Sequence, residues 1–277
     1  MKKNERAAAI VRTIVVSLIA VLFVVPLVWM VLSSLKTAPE VFARPFHWLP
    51  ARVQWQNYAT VWMNEEASML RAFANTLYIA LFSIIGQMFI SSLAAYSFAK
   101  INFKGKQIVF MLFLSSMMVP SQLTIIPRFM LFKTIGLYNN LWAIILPAFF
   151  GATSIFMLRQ FYMGLPNDLI EAAKIDGAGH LRISLRIMLP LTKAALMSLI
   201  ILAFISSWNE YMAPLIFLVK KELYTVSQNI QWYMLDEFKE HNLTMAAATS
   251  AIVPVVILFI VGQKYFVEGI ATSGVKG

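Results

Sequence analysis

Three polar side chains stand inside runs of apolar residues: Gln122, Asn209 and Glu210. An amide in an apolar medium must find a hydrogen-bonding partner or lose about 2–7 kcal/mol, and an ionised carboxylate loses far more. Ionisable groups in such runs face a bundle interior or a water-filled cavity. Gln122 follows a proline in Val119-Pro120-Ser121-Gln122-Leu123-Thr124. Its polar neighbours either repair a broken helix or form one wall of a pathway. Glu210 closes the patch Ser206-Ser207-Trp208-Asn209-Glu210, 17 residues beyond Lys193. That is about 26 Å along a helix, so Glu210 is either an interfacial acid or a cavity-lining group.

A second segment carries recognition rather than burial: Gly164-Leu165-Pro166-Asn167-Asp168-Leu169-Ile170-Glu171-Ala172-Ala173-Lys174-Ile175-Asp176-Gly177-Ala178-Gly179-His180. Asp168 is an N-cap candidate, and Glu171 three residues on completes the pattern of a capping box. Gly177 and Gly179 end the helix by supplying left-handed backbone geometry. A helix of two or three turns is not stable alone and needs a surface to pack on. Beyond the glycines, Leu181, Leu185 and Met188 share one stripe, Arg182 and Arg186 form an i,i+4 basic pair, and Pro190 ends the segment.

Other chemistries are excluded by what is missing. There is no cysteine, hence no disulfide, thiolate metal site or Cys nucleophile. His47, His180 and His241 have no ligand-like spacing, so no metal site is expected. No G-x-S-x-G and no phosphate-binding loop is present. Active transport by this chain would therefore draw on an ion gradient or on another subunit. A gradient-coupled carrier usually has acids near the midplane, and Glu210 stands alone, which favours the other subunit.

The elements that position these groups are dictated by composition. Of 277 residues, 60% are hydrophobic and 13% charged, with mean hydropathy +0.72. A soluble domain has about 25% charged residues, so a soluble enzyme is excluded. Long uncharged runs predict six membrane-spanning helices at about 12–34, 73–99, 107–129, 139–162, 191–216 and 244–266. Lys2, Lys3 and Arg6 precede the first run, but its length and the lack of a small-x-small site make it a retained anchor. The whole of 1–277 reads as one all-α polytopic membrane domain. Six spans put both termini on one side, and 14 of the 23 Lys and Arg residues fall on that side. The basic excess marks the cytoplasmic face, so both termini and the loop at about 164–190 are cytoplasmic. The net charge of +10 needs no nucleic acid to explain it. Pro26, Pro120, Pro147 and Pro254 lie within spans and are candidate kinks. Ser91, Ala95 and Ala99 form small-xxx-small pairs, which let helices approach closely. Outside, Trp48, Trp55 and Trp62 in a loop of about 40 residues are either interfacial anchors or contacts for an external partner.

Glu171-Ala172-Ala173, Asp176-Gly177-Ala178, Ile187 and Leu189-Pro190 together resemble the EAA loop of bacterial ABC-importer permeases. Pro120-Ser121-Gln122, Gly136-Leu137-Tyr138-Asn139-Asn140, Trp208-Asn209-Glu210 and the tail Glu268–Gly277 resemble carbohydrate importers, the second permease of the maltose type, over essentially the whole chain. The resemblance implies a type I ABC-importer permease fold in a bacterial plasma membrane. It implies a companion permease, two ATPase subunits that bind the ATP and magnesium, and an extracellular solute-binding protein that delivers a sugar. This chain itself would hold no cofactor. The ATPase-coupling residues would be Asp168, Glu171, Ala172, Ala173, Asp176, Gly177, Ile187, Leu189 and Pro190. The tail Gly274, Val275, Lys276 and Gly277 would also meet the ATPase. Ser184 stands where many members carry Phe. Other readings are a permease for another solute class, an ion-coupled secondary carrier, and a membrane scaffold without transport.

Overall fold

The computed structural model describes residues 2–235 and 240–274. Among them the regular structure is helical throughout. The chain divides into two compact units, Met1–Leu70 with Asn229–Val253, and Arg71–Gln228 with Pro254–Gly277.

In the first unit, the helix Lys2–Ser34 carries the first span, and the most apolar 18-residue window of Ala8–Ser34 buries nothing against the rest of the chain, although Ser33 and Ser34 at its end are buried. Leu22 and Phe23 are 70% and 73% exposed. A helix that is apolar all round and unpacked needs an apolar solvent, and lipid supplies it. The segment after it is not a slack loop. The Asn57 amide donates to the Ser34 and Lys36 carbonyls, both at 2.8 Å, and accepts from the Asn242 amide at 3.0 Å. Glu40 accepts the Thr37 N–H at 2.9 Å and the Ala51 N–H at 3.0 Å. Those two backbone donors hold its carboxyl below the usual carboxylate range. Trp62 is used inside this unit, donating to Ser250 Oγ at 3.1 Å, whereas Trp48 and Trp55 are exposed.

The second unit is built around the helix Met69–Lys100, which enters it at Arg71 and is the second span. The small residues Ser91 and Ala95 are fully buried along it, as a close-packing face requires. The third span is bent. Lys106–Met118 and Ser121–Thr134 meet at 96°. Pro120 has no N–H to give, and Val119 before it is extended. The fourth span breaks between Trp142–Ala148 and Ala152–Met163, just after Pro147. The fifth is bent by 86° between His180–Leu191 and Lys193–Trp208. Pro26 and Pro254, by contrast, sit inside helices that run on without interruption. Each is followed by uninterrupted apolar residues, whereas Pro120 leads into Ser-Gln and Pro147 into Ala-Phe-Phe-Gly.

Among the described residues four helices are long and apolar enough to cross a membrane, or six if each bent pair is one span. The expected fifth span at 191–216 is shorter than that. Its helix stops at Trp208, and Met212–Phe217 is a separate helix. The polar run Ser206 to Glu210 is thus a helix terminus rather than a helix interior.

Candidate functional site

Two sites emerge, both within the second unit. The first is the short helix Asp168–Ile175. Ile170 and Ala173 are its buried face, set into a core with Tyr96, Leu158, Tyr162, Ile183, Met188 and Leu199. The opposite face is open: Asp168, Glu171, Ala172 and Lys174 are exposed, and Ile175 is 87% exposed. Burial of one stripe thus fixes the helix to its own chain and leaves the other stripe to face outward.

The helix ends are made differently from expectation at one end and as expected at the other. The N-cap is Asn167, not Asp168, and no side chain caps the helix. Asn167 has helical backbone angles (φ −72°, ψ −24°) rather than the extended ones usual for a capping residue, and its Oδ1 accepts instead from the Lys100 ammonium at 2.8 Å. Asp168 and Glu171 remain in the first turn, where a carboxylate favours the helix dipole. At the other end Gly177 has φ +76°, and the Ala178 N–H reaches the Ala173 carbonyl at 2.9 Å while the Gly177 N–H reaches Lys174 at 3.0 Å. This pair of bonds is a Schellman motif, and it needs the left-handed residue. A Cβ on Gly177 would meet nothing within 4 Å, so the glycine answers the backbone angle and not crowding. Beyond Asp176, Ile187 packs half-buried on the same core, while Leu189 is half-buried and Pro190 exposed. Ser184 is fully buried with its hydroxyl unpartnered, in a π-helical turn over Ser184–Met188.

The second site is a cavity of about 520 Å³. The second span contributes Ser83 and Gln87, the third Gln122 and Arg128, the fourth Ser154, and the residues after the fifth Glu210. Close approach is made possible by glycine. A Cβ on Gly151 would fall 2.0 Å from the Gln87 amide nitrogen, and one on Gly86 would fall 2.2 Å from the Phe149 ring. The Gln87 amide donates to Ser154 Oγ at 3.0 Å. Glu210 accepts the Ala213 N–H at 3.0 Å, so it also serves the start of Met212–Phe217. The Arg128 guanidinium lies over the Phe217 ring at 5.0 Å, and its Nε is buried without a partner. Ser83 Oγ is likewise buried and unpartnered. Two polar atoms of the residues that line the cavity are thus buried without a partner.

Of the three polar residues singled out in the sequence, Gln122 and Glu210 share this cavity and Asn209 does not line it. Asn209 is exposed and its amide donates to the Ile205 carbonyl of its own helix at 2.8 Å. Arg128 and Gln87 escaped the sequence reading. Arg128 closes a long uncharged run in the sequence, and beyond the 96° turn it lines the cavity. The polar run after Pro120 was the available signal, since a helix that restarts there need not continue across the membrane. Among the described residues no cluster of His, Asp or Glu could hold a metal ion. Of the tail, Gly274 ends the last helix and Val275, Lys276 and Gly277 lie outside the described residues.

Comparison with known proteins gives these arrangements a context. Residues 87–272 match the family described as binding-protein-dependent transport system inner membrane component. The arabinooligosaccharides transport system permease protein AraQ of Bacillus subtilis (strain 168) is 33% identical over 267 residues, covering 96% of this chain and 95% of that protein. The melibiose/raffinose/stachyose import permease protein MelC of the same organism is 30% identical, with 96% of each covered. The sn-glycerol-3-phosphate transport system permease protein UgpE of Pectobacterium atrosepticum is 29% identical, with 94% of each covered. Among solved structures, a chain of a bacterial ABC transporter involved in import of the acidic polysaccharide alginate shares the fold, with TM-score 0.84 at 23% identity over 95% of this chain and 98% of that one.

Proposed function

This chain belongs to the family of binding-protein-dependent transport system inner membrane components, and from that premise we propose that it is one permease half of a heteromeric ATP-driven importer of a sugar or oligosaccharide. A companion permease completes the pathway, two ATPase subunits bind below, and an external solute-binding protein delivers the sugar above. Both termini and the 164–190 loop face the cytoplasm. The observation that carries the reading is the helix Asp168–Ile175, fixed to its own core on one face and bare on the other, with Ile175 at its tip. Such a helix is shaped to enter a groove on another protein. The closing of an ATPase dimer would move it and reorient the span bundle. ATP and magnesium belong to the ATPase, and the tail Gly274 to Gly277 adds a second contact to it. The carbohydrate class is supported by the oligosaccharide permeases among the relatives. The cavity is the part of the translocation pathway that this chain contributes, with Gln122, Arg128 and Glu210 on its wall.

The test is reconstitution in proteoliposomes with the companion permease, the ATPase and the binding protein. Uptake of an oligosaccharide should require ATP and loaded binding protein, and this chain alone should hydrolyse no ATP. Uptake driven by an ion gradient without the ATPase would overturn the reading. Orientation is checked separately in cells: a cysteine at exposed Gly179 should react only with membrane-permeant reagents, and one at exposed Val53 with impermeant ones. Labelling of position 179 from outside would reverse the topology.

A further inference from the structure

The short helix Asp168–Ile175 is joined by the chain itself to the fourth span, which ends at Met163, and through His180–Leu191 to the fifth. Both of those spans reach the cavity. The second span, which supplies Ser83 and Gln87 to the same cavity, has no such covalent link to the loop. It meets the loop through side chains. Lys100, at its last position, donates from Nζ to the Leu165 carbonyl at 2.6 Å and to Asn167 Oδ1 at 2.8 Å. Tyr96, one turn earlier and 2% exposed, shares a 2.8 Å hydrogen bond between its hydroxyl and His180 Nδ1. These two attachments bracket the short helix, one just before it and one just after it. Arg159 of the fourth span adds a third tie, Nε to the Phe98 carbonyl at 3.2 Å.

We propose that Lys100 and the Tyr96–His180 pair are positioning residues that clamp the second span to the loop, so that movement of the loop carries the cavity walls of the second, fourth and fifth spans together. The geometry between the two ends supports this. Gln87 lies about 20 Å from Lys100 along an unbroken helix at 1.5 Å per residue, with no proline or glycine between them. A displacement at Lys100 is therefore delivered at Gln87, where the amide meets Ser154 of the fourth span. Without the clamp the loop would still drive the fourth and fifth spans through the backbone. The second span would lag, and the Gln87–Ser154 contact would slip. The ATPase would go on cycling while the cavity failed to reorient as a unit. None of these residues touches the cavity or the bare face of the short helix, so their removal leaves both sites chemically intact.

The inference rests on the reading of the chain as an ATP-driven permease. The experiment uses the whole reconstituted complex with loaded binding protein and reads two rates, ATP hydrolysed and sugar taken up. Lys100→Met with Tyr96→Phe removes the attachments while keeping the apolar stems. The ratio of ATP hydrolysed to sugar transported should rise on the order of fivefold or more, the lower end of inter-site coupling, with normal assembly. Lys100→Arg and His180→Gln keep hydrogen-bonding groups in place and should restore most of the wild-type ratio. A merely structural role would lower both rates together and leave the ratio unchanged. That result, or failure of the double variant to assemble while each single variant keeps the wild-type ratio, overturns the clamp. If the wild-type complex itself shows no ATP-dependent uptake, it is the functional reading that has failed.

Discussion

The two ends of the second span differ in how their polar groups are used. At the loop end three long side chains are taken up: Lys100 by Leu165 and Asn167, Tyr96 by His180, Lys106 by the Ile101 carbonyl at 2.9 Å, while Ser184 Oγ is left without a partner. At the cavity end Ser83 Oγ and Arg128 Nε are buried with no partner. Satisfied polar networks rigidify a structure, and unsatisfied groups cost free energy until something meets them. The first region is tied by long side chains that reach across the fold. The second carries buried polar atoms that nothing in the chain satisfies. Substitutions should accordingly fail in different ways at the two ends, by lost attachment below and by lost passage above.

The largest effect is expected at Gly177. Its φ of +76° is one that an L-residue rarely adopts, and the Schellman bonds that end the helix depend on it. Gly177→Asp should leave the spans inserted and membrane abundance normal, but the short helix would point elsewhere. Co-purification of the ATPase should be lost, and sugar uptake with it. Retention of both at normal abundance would show that the loop is not the attachment site, and the contrast between the two ends would collapse.

The next effect belongs to the cavity. Arg128→Met and Gln122→Leu should keep the ATPase bound and lower uptake, by about tenfold or more for Arg128 if one charged hydrogen bond of about 1.5–3 kcal/mol is made to the solute or its water. Ordinary uptake by both variants would mean that the unpartnered groups serve packing alone. A loss of ATPase binding would blur the distinction between the ends. The same measurement separates solute classes, because an anionic solute should lose more than a neutral one when Arg128 is removed.

These expectations rest partly on what the sequence already carried. The short helix was legible because its determinants are local. An acidic first turn, two glycines and a single apolar stripe lie within about ten residues, and periodicity reads them directly. The four long apolar helices and the two bent pairs were legible from apolar length alone. The exchange of cap from Asp168 to Asn167 was not: Asn167 has helical backbone angles, and its side chain accepts from Lys100, far away in the chain. Nor was the cavity. Its wall gathers residues from the second span to Glu210, and the decisive turn at Pro120 shows in sequence only as a proline among several. Pro26 and Pro254 carry the same local signal and leave their helices continuous. Proline marks where a helix can break, and the residues around it decide whether it does.

A smaller change is expected from Glu171. With no side-chain cap at this end, Glu171→Ala removes only a favourable charge in the first turn, about 0.3–1 kcal/mol. ATPase association should weaken by about fivefold at most, the factor that 1 kcal/mol allows. A loss as complete as that of Gly177→Asp would instead mean that the carboxylate meets a basic group on the ATPase, which would sharpen the picture of the bare face.

The smallest effect is expected at Asn209, and it tests whether position in the cavity matters more than polarity. Asn209 and Glu210 are neighbours in a patch that looks uniform in sequence. The end of the helix at Trp208 separates them: Glu210 turns to the cavity and to the Ala213 N–H, while the Asn209 amide folds back on the Ile205 carbonyl. Asn209→Leu removes one exposed local hydrogen bond, a net contribution of about 0.5–1.5 kcal/mol to stability, and nothing from the cavity wall. Uptake should stay within about twofold of wild type, well inside what that energy would allow if it acted on transport. Gln122→Leu, an equally sized loss of an amide, should fall clearly below it in the same assay. If Asn209→Leu impairs uptake as much as Gln122→Leu does, the working pathway extends past Trp208 to the outer face, and the cavity is only its inner part.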